Sequence, residues 1–251
     1  MSGAYSSERV LREYLLFHYG AREEVLSLGL GPVEGLDFAV RTVSELIDVA
    51  DPGFARDGSA LDLGCAVGRS SFELARHFPG VVGMDLSPNF VQAARKIGEE
   101  GSLDYSFPRQ GEVSVPAIAR IPDGIDAARV SFRVGDACSL PQDLGDFDLV
   151  HAANLLCRLP SPMDFLDELP RLVRPGGQLL LTTPFTWLEE FTTKDQWIGG
   201  RTADADSISA LEAVLGKNFS PEKTIDIPFL LREHERKFQY GISLGVRWRR
   251  L

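Results

Sequence analysis

The chain has 251 residues, 44% of them apolar and 25% charged, with a formal net charge of -10. That balance fits a globular protein large enough for one sizeable core. The acidic excess argues against a broad nucleic-acid footprint, and no apolar run is long enough to span a bilayer. Residues 1–12 lack the apolar core of a signal peptide, so a cytoplasmic location is expected. Arg247, Arg249 and Arg250 read as the solvated face of a strand. Cys65, Cys138 and Cys157 suit a reducing compartment. With no C-x-x-C pair and four scattered histidines, no metal site is expected.

The first predicted element is a helix over 7–18, with Val10, Leu11, Tyr14, Leu15 and His18 at helical spacing and Gly20 as its stop. A second helix is expected over 36–50, closed by Asp51-Pro52-Gly53. From residue 59 the pattern becomes strand–helix alternation, the mark of a parallel sheet. Strands are predicted over 60–63, 81–85, 129–134, 147–153 and 178–183. Helices are predicted from Gly68 to Phe78, from Pro88, and from Ser161 as a cap to Val173. Residues 101–128 read as an inserted excursion with a small hairpin. After Pro184 the alternation breaks. Residues 184–200 hold Phe185, Trp187, Phe191 and Trp197 beside Glu189 and Glu190. A helix over 207–215 and two β-like runs, 224–234 and 238–248, finish the chain as the antiparallel end of a mixed sheet. No repeat is visible, so one domain over 1–251 is expected, with 1–55 as a helical cap.

The informative stretch is Ala60-Leu61-Asp62-Leu63-Gly64-Cys65-Ala66-Val67-Gly68-Arg69. It reads as a buried strand, a glycine turn and a helix start. Gly64 and Gly68 are expected to let backbone approach a ligand. Asp85 ends the second strand, where a carboxylate can grip a ribose; an ordinary loop cap is the other reading. Asp136 with Ala137 follows the third strand. Together these point to a nucleoside-containing ligand. The glycine spacing departs from the G-x-G-x-x-G dinucleotide fingerprint, which disfavours a nicotinamide oxidoreductase. The segment resembles the Asp-x-Gly-x-Gly-x-Gly motif of class I S-adenosylmethionine (SAM) methyltransferases, with Ala66 in place of one glycine. The Pro175-Gly176-Gly177 turn before the fifth strand is similar to the one in that class. This resemblance implies a Rossmann-like fold: a mostly parallel seven-stranded sheet with an antiparallel C-terminal end, helices on both faces and two extra N-terminal helices. It also implies SAM as cofactor and S-adenosylhomocysteine (SAH) as product. The cofactor candidates are Asp62, Gly64, Ala66, Gly68, Asp85, Leu86, Asp136 and Ala137.

A narrower resemblance runs over nearly the whole chain. Its residues are Glu13-Tyr14-Leu15-Leu16-Phe17-His18-Tyr19-Gly20, Ala60 to Phe72, His151-Ala152-Ala153-Asn154-Leu155, Pro184-Phe185-Thr186-Trp187-Leu188-Glu189-Glu190-Phe191, Trp197-Ile198-Gly199-Gly200 and Arg232-Glu233-His234. These look like the methyltransferase module of ovothiol biosynthesis, which methylates 5-mercaptohistidine on the π nitrogen of its imidazole. In that family the module often follows an iron-dependent sulfoxide synthase. No such domain precedes Met1, so a separate synthase is the expected partner. The substrate candidates are Tyr14, Phe17, Asn154, Trp187, Glu189 and Glu190, and the catalytic candidates are Asn154 and Tyr19. Tyr14, Phe17 and Tyr19 also fit plain packing of an amphipathic helix. Trp187 is expected in a substrate lid over 184–200 and Trp197 in the core. One of Glu189 and Glu190 is expected to face inward and pair with the substrate ammonium. His18 and His151 are weighed as bases against satisfied core histidines. Two other readings stay open: a methyltransferase of another small histidine-like or thiol metabolite, and a SAM-binding protein without turnover.

Overall fold

The structure is a computed structural model that describes residues 7–55 and 57–251. Helix α1 (Glu8–Tyr19) starts at Ser7, whose hydroxyl accepts from the Val10 amide. It is followed by the single turn α2 (Arg22–Val25) and by α3 (Phe38–Ser44). Helix α3 is shorter than its apolar period predicts. The side chain of Gln178 captures the Asp48 backbone through both amide and carbonyl, at 3.0 and 2.9 Å, and pulls the chain out of helical register. That competitor lies 130 residues away, beyond any local pattern.

The main sheet is built from β1 (Ser59–Leu63), β2 (Gly80–Asp85), β5 (Val130–Val134), β6 (Phe147–Ala153), β7 (Val173–Thr183), β8 (Phe219–His234) and β9 (Lys237–Arg250). Its order is β5-β2-β1-β6-β7-β9-β8, with β9 alone running opposite to its neighbours. The chain winds outward from β1 through β2 to β5, then returns to β6 on the other side of β1. The crevice at that reversal is where doubly wound sheets bind ligands. Parallel strands buried on both faces need apolar runs, and Leu61, Leu63, Leu149, Val150, Leu179 and Leu181 are all buried.

Helices α6 (Pro162–Leu172) and α7 (Ser207–Leu215) cover one face, packing on Leu61, Leu63, Val150 and Leu181. The other face carries α3, α4 (Arg69–Leu74), α5 (Pro88–Glu100) and α1. Ser161 precedes α6 without the expected side-chain cap. The excursion after α5 is a separate antiparallel hairpin, β3 (Ser102–Gln110) with β4 (Val113–Arg120). It braces α1: Phe107 and Ala117 pack with Leu16, Val25 and Leu230. No helix among the described residues is long and apolar enough to cross a membrane.

Candidate active site

Three adjacent strands end in the same unusual way. Ala66 after β1, Asn154 after β6 and Phe185 after β7 have φ of 47°, 53° and 50°. They are three of the four non-glycine residues at positive φ among the described residues. A left-handed non-glycine residue costs about 1–2 kcal/mol, and such residues persist where surrounding structure over-determines them, commonly at functional sites. These strand ends define the candidate site.

Around the first turn the backbone is consumed internally. The Gly64 and Cys65 amides donate to the Met84 carbonyl at 2.8 and 3.1 Å. The Ala66 amide donates to Asp85 Oδ2 at 2.9 Å, and the Ser87 amide to Oδ1 at 2.8 Å. Asp85 thus locks the turn to the end of β2 while staying half-buried. Burial pushes its carboxyl up to about 6 against those two amides. Beside it Leu86 is 50% exposed, and so is Val134, the register partner of Asp85 on β5. Two exposed apolar side chains flanking a carboxylate suit a planar base next to its sugar. Val134 was not among the expected residues, because an exposed valine at a strand end carries no sequence signal. Asp136 folds back on itself, accepting from the Cys138 amide at 2.9 Å, and Ala137 is buried against the α6 face.

Packing also accounts for the two turn glycines. A Cβ on Gly64 would meet Leu155 Cδ1 at 3.0 Å, and one on Gly68 would strike Phe132 Cζ at 2.7 Å. At both positions φ is positive and protein side chains fill the Cβ direction, so only glycine fits the turn.

Asp62 is also reassigned. It is 1% exposed, so it does not line the crevice. Its Oδ2 accepts from Ser70 and Ser71 Oγ at 2.9 and 2.6 Å, and its Oδ1 pairs with His151 Nδ1 at 2.7 Å. The other ring nitrogen of His151 meets Thr42 Oγ1 at 3.1 Å. Burial alone would raise the Asp62 carboxyl; His151, Ser71 and Ser70 outweigh it and hold it below the usual range. His151 is therefore a satisfied core histidine, and Asp62 positions the start of α4.

Asn154 closes β6. Its amide nitrogen on the backbone donates to the Thr182 carbonyl at 2.9 Å, and its side-chain oxygen accepts from Thr182 Oγ1 and Ser243 Oγ at 3.2 and 2.8 Å. With Oδ1 held from both sides, the Nδ2 group remains as a fixed donor at the strand end. Ser243 lies on β9, so no local motif could have shown this tether.

Helix α1 lies over these ends. The Tyr19 hydroxyl donates to the Val67 carbonyl at 2.8 Å, which makes Tyr19 a brace for the turn and not a group on reacting atoms. Phe17 stacks on Phe38 with centroids 5.8 Å apart and joins the α3 core. Tyr14 packs on Phe90 at 4.9 Å and stays half-buried.

Residues 184–200 form a wall tied to the body. Arg158 donates to the Thr186 carbonyl at 3.0 Å and lies over the Phe191 ring. Thr192 donates to the Leu159 carbonyl at 2.6 Å. Trp187 stacks on Trp197 at 6.4 Å and donates to Ser207 Oγ at 3.1 Å. The two tryptophans are one unit, so lid and core do not separate as expected. Glu189 and Glu190 are both exposed, and Glu189 pairs with Lys194 at 3.1 Å; neither faces inward. Burial raises the thiols of Cys65, Cys138 and Cys157, so none is a ready nucleophile. Among the described residues no group of three or more His, Cys, Asp or Glu is placed to hold a metal ion. A depression of about 580 Å³ lies at the opposite end of the sheet, lined by Asp51, Gly176, Glu222 and Arg249.

Residues 61–181, from β1 to β7, match the family model described as a methyltransferase domain. That match covers just under half of the chain. Its sheet order and the reversal between β1 and β6 are those of the Rossmann-like methyltransferase fold. Among curated relatives, a probable tocopherol O-methyltransferase from Oryza sativa is 31% identical over 139 residues, 54% of this chain and 31% of the relative. A ubiquinone biosynthesis O-methyltransferase from Xanthomonas oryzae is 28% identical over 123 residues, 49% of this chain and 41% of the relative. The chain thus spans well under half the length of these relatives. Among solved structures, magnesium protoporphyrin IX methyltransferase from Synechocystis with bound SAM aligns with a TM-score of 0.51 at 20% identity, covering 81% of this chain and 74% of that one. A SAM-dependent methyltransferase from Methanosarcina mazei aligns with a TM-score of 0.54 at 18% identity, covering 82% and 99%. At these identities the structures speak for the fold.

Proposed function

We propose that the chain is a SAM-dependent N-methyltransferase whose acceptor is the imidazole π nitrogen of 5-mercaptohistidine, the closing step of ovothiol A formation. The residues present suit the cofactor. Asp85 offers a half-buried carboxylate for ribose hydroxyls, Leu86 and Val134 flank an apolar slot for adenine, and Asp136 with Ala137 borders it. SAM, when bound, supplies an electrophilic methyl group on a sulfonium, and SAH is its remainder.

The observation that carries the acceptor reading is the tethered amide of Asn154 at the end of β6. A thiolate is a better nucleophile than a ring nitrogen, so the protein must hold sulfur aside and present nitrogen. A donor fixed in one orientation can do this, because only one pose of a mercaptoimidazole satisfies it. This reading gives the exclusion of water to two half-buried aromatic side chains, Tyr14 and Trp187. The imidazole nitrogen already has a lone pair, so no strong base is needed. The Thr186–Phe191 stretch supports the same family, and in this reading a separate sulfoxide synthase supplies the thiol-bearing substrate.

The O-methyltransferase names of the curated relatives favour a second reading, another small acceptor. The family match ends at residue 181, however, before the wall at 184–200 begins. It therefore bears on the cofactor half more than on acceptor choice. The deciding assay offers purified protein and SAM with 5-mercaptohistidine beside histidine, and locates the new methyl by NMR. Transfer to the π nitrogen of the mercapto compound is expected. Binding of SAM without transfer to either compound would overturn the acceptor assignment and leave the cofactor assignment standing.

A further inference from the structure

Two histidines lie near the strand ends, and the fold treats them in opposite ways. His151 has a partner on each ring nitrogen. His18, on α1, is half-buried, and its fully buried Nδ1 has no partner. A buried polar atom left without a partner is costly and rare in natural interiors, so it calls for an explanation. The ring is held from several sides, with centroids 5.4 Å from Phe17, 6.0 Å from Tyr14 and 6.5 Å from Tyr19. Burial first, then the Arg69 charge, press its pKa down to about 3 against the pull of Asp62. His18 is therefore a neutral imidazole, able to offer Nδ1 as either donor or acceptor. Asp62 and Arg69 stand on the two sides of the glycine turn, and Tyr19 anchors α1 to that turn through Val67. The unpaired nitrogen thus belongs to the space between α1 and the turn.

The sheet order says what reaches that space. If adenine lies by β5 and ribose on Asp85 at the end of β2, the remainder of the cofactor extends along the sheet edge toward β1. That remainder is the methionine portion, with its α-amino-acid group. We propose that His18 Nδ1 hydrogen-bonds the α-amino-acid end of SAM and SAH, so that α1 reads the methionine portion of the cofactor. This rests on the cofactor reading above and adds a cofactor-binding residue to it.

The test is isothermal titration calorimetry on the full chain with two ligands. SAH carries the α-amino-acid group; 5′-methylthioadenosine keeps the adenosine and sulfur and lacks it. His18→Phe should weaken SAH about tenfold and leave 5′-methylthioadenosine within about twofold of wild type. His18→Asn, which retains a polar atom at similar reach, should recover most of the SAH affinity. If His18→Phe does not fold, His18→Leu gives the same comparison with a smaller side chain. Unchanged SAH affinity, or equal losses for both ligands, would overturn the assignment; equal losses mark a purely structural role. Wild-type protein that binds neither ligand would overturn the cofactor reading itself, and this inference with it.

Discussion

Asp85 gives the sharpest prediction, because its two environments pull its proton in opposite directions. In the free protein, burial outweighs the Ser87 and Ala66 amides and raises the carboxyl from 3.8 to about 6. A raised folded-state value means that this group favours folding at low pH, and that the contribution is lost as pH rises through about 6. Ligand binding has the opposite sign. Ribose hydroxyls donate to the ionised form, so binding favours the carboxylate and releases a proton below about pH 6. Between pH 7 and pH 5 the ionised fraction of such a group falls from about 0.9 to about 0.1, and SAH affinity should fall about tenfold, ~1.4 kcal/mol. His18, pressed to about 3, does not titrate in this window. Asp85→Asn should bind SAH about 1.5–3 kcal/mol more weakly at pH 7, the range of hydrogen bonds to a charged group, and should lose the slope. Calorimetry at half-unit pH steps measures both. A flat wild-type profile, or a variant that keeps the wild-type slope, would remove Asp85 from the ribose site.

Three further outcomes are expected. Asn154→Gly keeps the left-handed backbone and deletes the amide, so turnover of the acceptor should fall at least about tenfold while SAH affinity stays close to wild type; a parallel loss of SAH binding would assign Asn154 to the cofactor. Gly68→Ala places a Cβ 2.7 Å from Phe132 Cζ at a φ of 87°, and should destabilise the protein by about 2–4 kcal/mol, seen as a lower thermal midpoint. Asp62→Ala strands the buried His151 ring and both serine hydroxyls, and should cost about 3–5 kcal/mol in denaturant unfolding. The Asp62 contribution is present above its usual value and is lost as pH falls through the depressed one. A stable Asp62→Ala protein with weakened SAH binding would return Asp62 to the cofactor site.

What could be read from the chain followed the range of the forces involved. Strands β1, β2, β6 and β7 are legible because a parallel strand buried on both faces must be an apolar run, and the turn residues flanking them are local. Asp85 is legible for the same reason: it is the acid at the end of such a run. The end of α3 is not, since Gln178 decides it from β7. Asp62 shows the limit of a motif. The pattern places it correctly at the end of β1, but its partners Ser70, Ser71 and His151 come from α4 and β6, and they turn it inward. Glu189 and Glu190 fail similarly, because anchors such as Arg158 and Ser207 fix how the wall is turned.

The bond between Ser243 and Asn154 joins the last strand to the middle of the chain, across 89 residues. The segment that matches the family model contains Asn154 but neither of the hydroxyls that steady it, those of Thr182 and Ser243. An excised cofactor half would keep the place for adenosine and lose the fixed amide. On the proposed reading, exchange of acceptor specificity between relatives needs β9 to travel with the wall at 184–200. During synthesis the amide has only the Thr182 hydroxyl to hold it until the final strand has been added.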